Sequence, residues 1–213
     1  TKDFGKIEVL GRGVKRPLAK LNSHLQIFDF SEIEFVLGKK FKVLTGASLI
    51  GNILDSESNR YAIGATIDFF DFIDQAINFD DSDRNIWGLL GEFFEFIKGG
   101  GLSDESRSKI FSNFFKFRLI SLCGFEPILS DCASCHRRLN EEKLKFSLKN
   151  GGVVCGECDV QDGSVFSVLP STVKFLRIFS GKDKDLLLKL RVSKKEIDDL
   201  VRTINYFVKW NIG

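Results

Sequence analysis

The apolar positions of this chain change period part-way along it. Up to about residue 48 they alternate with polar ones: "KIEVLGRG" alternates and stops at glycines, "HLQIFDFSEIEFVLG" carries Phe28 and Phe30 and then Ile33 and Phe35, and "KKFKVLTG" alternates again. A period of two predicts half-buried strands, and the change of phase near Ser31 predicts a β-bulge. Three such strands are too few to close a barrel. The segment is expected either to belong to a small barrel with more strands before Thr1, or to form an open sheet whose edge a helix covers.

From about residue 58 the spacing becomes helical. Tyr61, Ala65, Phe69, Phe72, Ile73 and Ala76 fall on one face, and Ile86, Leu89, Leu90, Phe93, Phe94 and Ile97 on another, with "FDDSD" between them and "GGG" at 99–101 ending the second. A third helix is predicted from about Asp104 to Leu122, through Ile110, Phe111, Phe114, Phe115 and Leu119, and "GFEP" ends it because Pro127 cannot continue a helix. Farther on, "LPSTVKFLRIFSG" offers Ser171 or Thr172 near a helix start and Gly181 past its end. In "VSKKEIDDLVRTINYFVKW", Ser193 with Glu196 three residues on has the form of a capping box. The Phe stripes are read as the core of an antiparallel helical bundle.

An excursion at about 129–160 interrupts that bundle. Cys132 and Cys135, then Cys155 and Cys158, form two Cys-x-x-Cys hooks separated by 19 residues. Each hook lets two thiolates grip one ion and two hooks complete a tetrahedron, so the spacing points to one structural zinc ion. A pair of disulfides or a redox Cys-x-x-Cys are the alternatives. His136, beside Cys135, is not needed by a site that four cysteines fill, and His24 is a second lone histidine. Cys123 sits in the apolar "LISLCGF" and is expected to be a small buried hydrophobe. The intervening "KLKFSLKNGGVV" reads as a two-stranded hairpin with too little apolar surface to hold itself, leaving its order to the metal.

Composition narrows the classes. Of 213 residues 43% are hydrophobic, 22 of them Phe, which excludes disorder. No apolar run approaches the roughly 18 residues that cross a bilayer. The opening "TKDFGKIEVLGRG" lacks a secretory apolar region, so a cytoplasmic setting with reduced thiols is expected. Charge is segregated: nine Lys/Arg against five Asp/Glu in 1–48 (+4), three against ten in 49–98 (−7), and nineteen against fourteen in 99–213 (+5). A basic end of this kind suits a polyanion. No phosphate loop, nucleophile elbow or His-rich catalytic metal set occurs, and an enzyme is not expected.

The order of these parts resembles the RecO family of bacterial recombination mediators. The resemblance rests on "GRGVKRPLAKL", "IFDFSEIEF", the run "FFKFRLISLCGFEPIL" leading straight into "CASC", and "GGVVCGEC" returning to helix. It implies an α+β protein: an OB-fold barrel at 1–48, lacking its first strand in this chain, and a helical domain at 49–213 with the zinc knuckle inserted. The function it implies is DNA repair and recombination: binding single- and double-stranded DNA, annealing complementary strands and, with RecR, helping RecA replace single-strand-binding protein in the bacterial cytoplasm and nucleoid. On that reading the phosphate contacts are Lys2, Lys6, Arg12, Lys15, Arg16 and Lys20, with Lys39, Lys40 and Lys42 on a later turn. Lys116 and Arg118, beside Phe-rich helix surface, would take the acidic-hydrophobic tail of single-strand-binding protein. The rival function is a zinc-containing protein-interaction scaffold that does not touch DNA.

Overall fold

The computed structural model describes residues 1–11, 25–54, 60–100, 102–140, 143–160, 163–181 and 184–213. The chain is a mixed α+β protein and divides into two units, Thr1–Ile63 with Ile77–Gly100, and Gly64–Ala76 with Gly101–Gly213. Residue 48, where the sequence reading divides the chain, lies inside a strand.

In the first unit β1 (Val9–Leu10), β2 (Asp29–Leu37) and β3 (Lys42–Asn52) form a sheet of order β1-β3-β2. β2 and β3 are antiparallel from Asp29↔Asn52 to Leu37↔Lys42, whereas β1 runs parallel to β3. The register shifts between Phe30 and Ser31, where the change of phase predicts it, and again between Glu34 and Phe35. These three strands make an open sheet, and the described residues form no closed barrel: too few strands are present to curl through a full turn. A helix joins them instead. In α2 (Arg84–Lys98), Leu89, Phe93 and Ile97 are buried, and Trp87 and Phe94 set their rings 6.1 Å from that of Phe30 on β2. Asp83 caps this helix by accepting the N–H groups of Asn85 and Ile86 at 2.6 and 3.2 Å. The amino-terminal segment closes against the turn before α2. Gly5 has φ +65° there, and a Cβ on it would stand 2.0 Å from the Asp81 carbonyl oxygen.

The second unit is built around α3 (Glu105–Leu122). Phe111, Phe114, Phe115, Phe117, Leu119 and Ile120 are all buried, so apolar side chains leave α3 in every direction and it must be a central helix. Around it lie the carboxy-terminal part of α1 (Arg60–Ala76), α4 (Pro170–Gly181) and α6 (Lys194–Asn211); a short α5 (Lys184–Lys189) precedes α6. Ring pairs lock the layers, with Phe69 on α1 5.7 Å from Phe115, and Phe179 on α4 5.4 and 5.8 Å from Phe114 and Phe117. α6 begins with the expected capping box of Ser193 and Glu196. α4 begins one residue before Ser171, at Pro170, and its cap comes from α6. The Asp199 carboxylate accepts the N–H of Leu169 at 2.8 Å and the hydroxyl of Thr172 at 2.6 Å.

Candidate metal centre and basic groove

The cysteine excursion is a second sheet of order β5-β4-β6, made by β4 (Lys145–Ser147), β5 (Gly152–Val154) and β6 (Val165–Ser167). It has one strand more than the expected hairpin, because Phe166 on β6 stacks at 5.9 Å on Phe146 and the sheet packs on α6 through Phe207, 5.6 Å from Phe146. Backbone bonds tie the first hook to β5: Val153 donates to the Ile128 carbonyl at 2.9 Å and Ala133 to the Val153 carbonyl at 2.8 Å. The turn is completed by His136, whose φ of 58° lets its N–H reach the Cys132 carbonyl at 2.9 Å. From α4, Arg177 donates twice to the Leu129 carbonyl, at 3.0 and 2.8 Å, and anchors the start of the excursion to the bundle.

These bonds converge the four sulfurs. All lie within 4.8 Å of one another, with Cys132–Cys158 at 3.7 Å, Cys135–Cys155 at 3.8 Å and Cys155–Cys158 at 3.5 Å. No two sulfurs are bonded, since an S–S bond is about 2.05 Å long, and all five cysteines are free. A tetrahedral ion with metal–sulfur bonds of about 2.3 Å requires sulfur pairs about 3.8 Å apart. The cluster therefore has the donors and the dimensions to hold one metal ion, and His136 is not among its ligands. Its electrostatics suit a cation. The backbone N–H and guanidinium of Arg137 pull the Cys135 thiol down to about 6. Burial pushes Cys132 up, but the N–H groups of Cys135, Cys155 and Ser134 outweigh it and the net shift is downward. Cys158 is pushed up to about 12, first by its neighbour Cys155. Thiolates this close resist ionising together, and a cation among them removes that resistance.

The candidate phosphate contacts scatter. Arg12, Lys15, Arg16 and Lys20, with His24, lie outside the described residues. Lys2 is exposed. Lys6 is occupied internally, over the Phe79 ring at 4.4 Å and donating to the Ile77 carbonyl, and Lys42 is paired with Asp80. Lys39 and Lys40, at the β2–β3 turn, are exposed. They line a groove of about 500 Å³ together with Phe41, Leu37, Leu10 and Phe79. Phe41 and Phe79 are 61% and 56% exposed, so two rings stand beside the Lys39 and Lys40 ammonium groups, with the Glu8 and Asp80 carboxylates also in the lining. Sequence reasoning missed both rings. Phe41 had a signal, a lone aromatic between Lys40 and Lys42; Phe79 is brought there only by the Lys6↔Phe79 bridge.

Residues 59–213 match the family described as "Recombination protein O C terminal". The chain belongs to the RecO family. A DNA repair protein RecO of Dehalococcoides mccartyi is 26% identical over 214 residues, covering 99% of this chain and 81% of the relative. One from Caldicellulosiruptor saccharolyticus is 26% identical over 204 residues (96% and 80%), and one from Halalkalibacterium halodurans 22% over 204 (96% and 77%). Both cysteine hooks fall inside the matched RecO segment.

In this RecO-family chain the two candidate peptide contacts, Lys116 and Arg118, both lie on α3. The Lys116 side chain is 12% exposed and paired with Asp68, and Arg118 is 9% exposed with its guanidinium 5.7 Å from the Phe114 ring. Cys123 is half-buried rather than buried, because α3 ends at Leu122 and Cys123 is its cap.

Proposed function

We propose that this chain acts in DNA repair and homologous recombination as a mediator that binds single- and double-stranded DNA and anneals complementary strands without making or breaking a covalent bond. The observation that carries the reading is the RecO match over 59–213 together with near-complete alignment to proteins named DNA repair protein RecO. On this reading the amino-terminal sheet belongs to an OB-fold domain and its groove meets DNA: Lys39 and Lys40 follow phosphates, while Phe41 and Phe79 offer ring faces to unpaired bases. Bridging two strands through one cationic surface offsets their repulsion and speeds their encounter. The ion at Cys132, Cys135, Cys155 and Cys158 is zinc. Four cysteine ligands leave no open position, so its role is to order the excursion. The partners are RecR, the tail of single-strand-binding protein and, through them, RecA.

The test is the salt dependence of binding to a fluorescent single-stranded oligonucleotide. Each phosphate contact contributes about 0.7 to the slope of log affinity against log salt. Replacing Lys39 and Lys40 together by Ala should lower that slope by about 1.4 and weaken binding to all sequences alike. Lys15 and Arg16, replaced together, should lower it by a similar amount. A chain that fails to bind DNA at low salt would instead be the protein-interaction scaffold.

A further inference from the structure

Among the apolar side chains of α3 runs one polar row, Glu105, Ser108, Lys109, Ser112, Asn113 and Lys116, spaced three or four residues apart and so on one face of the helix. The row forms one wall of a cavity of about 320 Å³ within the second unit, with Gly64, Ala65 and Asp68 of α1 and Val201 and Asn205 of α6 as its other walls. That volume lies at the lower end of the range of about 300–1,000 Å³ for small-molecule sites.

Buried polar side chains are costly unless each donor and acceptor is met. Most of this row is met. Ser112 and Lys116 both donate to the Asp68 carboxylate, and the Lys109 ammonium stands 2.7 Å from Glu105. Asn113 is the exception. It is 4% exposed, and its Nδ2 donates to the Lys109 carbonyl at 2.8 Å, which fixes the amide and leaves Oδ1 as a buried acceptor without a partner. Turning the amide over would only set Oδ1 against the Lys109 oxygen. One turn farther along, the Lys116 ammonium has three N–H groups and gives one to Asp68, with its side chain 12% exposed. An unmet acceptor and spare donors therefore stand side by side on α3, the complement of a carbonyl next to an N–H.

The charge of the lining selects a neutral occupant. Its charged side chains form two pairs, Lys116 with Asp68 and Lys109 with Glu105. A further charge brought among them would lose hydration without gaining a counter-ion of its own.

We propose that this cavity binds a small neutral molecule bearing a carbonyl beside an N–H, a carboxamide or the lactam edge of a free pyrimidine base, with Asn113 Oδ1 accepting the N–H and Lys116 donating to the carbonyl. The site goes beyond the DNA-mediator reading and does not depend on it. Asn113 sets the specificity, because an occupant without the N–H leaves Oδ1 as unmet as before and gains only the Lys116 bond.

The experiment measures saturation-transfer NMR of uracil and of nicotinamide with the full chain, using 1,3-dimethyluracil, which has no N–H, and the nicotinate anion as comparators. At least one of the two amides should show transfer, and neither comparator should. Asn113→Leu removes the acceptor at similar volume and should weaken binding about tenfold or more. Its urea unfolding midpoint should stay at or above that of the unaltered protein, because an orphaned acceptor has been exchanged for an apolar group of similar shape. An Asn kept for structure alone would lower that midpoint, and such a result counts against the proposal. Gly64→Leu is the second variant, which keeps the test open should Asn113→Leu fail to fold. A Cβ at Gly64 meets nothing within 4 Å, so the fold accepts it, and the longer side chain in the cavity wall should weaken binding by a similar factor. Transfer to uracil alone assigns a base and transfer to nicotinamide alone a carboxamide, and either supports the proposal. No transfer to either shows a cavity that holds water only and overturns it. Equal transfer to nicotinate overturns it by showing an anion site, and equal transfer to 1,3-dimethyluracil by showing that Oδ1 accepts nothing. Unchanged affinity in both variants overturns it as well.

Discussion

Replacing Asp199 by Ala should be among the most destabilising single changes in the second unit. Its carboxylate, only 12% exposed, accepts from the Leu169 N–H, the Thr172 hydroxyl and the Arg202 guanidinium, so one side chain of α6 caps the start of α4. Hydrogen bonds to a charged acceptor contribute about 1.5–3 kcal/mol each. The Arg202 side chain is 42% exposed, and its pairing adds at most about 1 kcal/mol after screening. The two buried bonds are not additive, since both donors sit on one helix end and relax together, so a loss of about 3 kcal/mol is expected. For a chain of this size that lowers Tm by about 6–12 °C. Asp199→Asn keeps an acceptor and loses the charge, and should cost about half as much. Urea unfolding followed by far-UV circular dichroism measures both. The reasoning fails if Asp199→Ala costs less than about 0.5 kcal/mol, the ordinary range of a surface change. It also fails if Arg202→Ala costs as much, which would make the ion pair and not the cap the source.

Four further outcomes are expected. Cys132→Ser with Cys155→Ser should abolish stoichiometric metal by elemental analysis, and chelator should lower the unfolding midpoint of the unaltered protein but not of the variant. Gly152→Ala should cost about 1–3 kcal/mol in the same urea assay, because its Cβ would stand 2.4 Å from the Ile128 carbonyl oxygen and 2.9 Å from the Ile128 backbone nitrogen. Ser193→Ala should cost about 1 kcal/mol near neutral pH. The N–H of Ser193 holds the Glu196 carboxyl below its ordinary value, so Glu196 stabilises the fold above its unfolded pKa of about 4.3 and loses that effect as pH falls through the lower folded value. Urea midpoints of Glu196→Gln and the unaltered protein should therefore differ near neutrality and converge as pH falls below the lowered folded value.

What could be read in advance followed from local periodicity. The Phe spacing of α1, α2 and α3, the phase change at Ser31 and the Ser193–Glu196 box are all set by residues a few positions apart, and each appears where the pattern places it. The four cysteines could be read because hook spacing fixes their geometry with little help from the rest of the fold. The misses depend on distant partners. β6 is too short to alternate and is a strand only because β4 pairs with it. The cap of α4 comes from Asp199, about thirty residues on, and no local signal marks it. Lys6 and Lys42 read as free cations until the chain brings Phe79 and Asp80 beside them.

The position of α3 has a consequence for biosynthesis. Its Phe-rich surface packs in part against α6, and α6 ends at Asn211, 89 residues after Leu122. At about 5–20 residues per second a ribosome takes roughly 4 to 18 s to make that stretch. For that interval a nascent chain presents an apolar helix that cannot yet be enclosed. A chain stalled or cleaved before α6 should be held by chaperones or degraded, and supplying residues 194–211 as a separate peptide during refolding should restore its solubility.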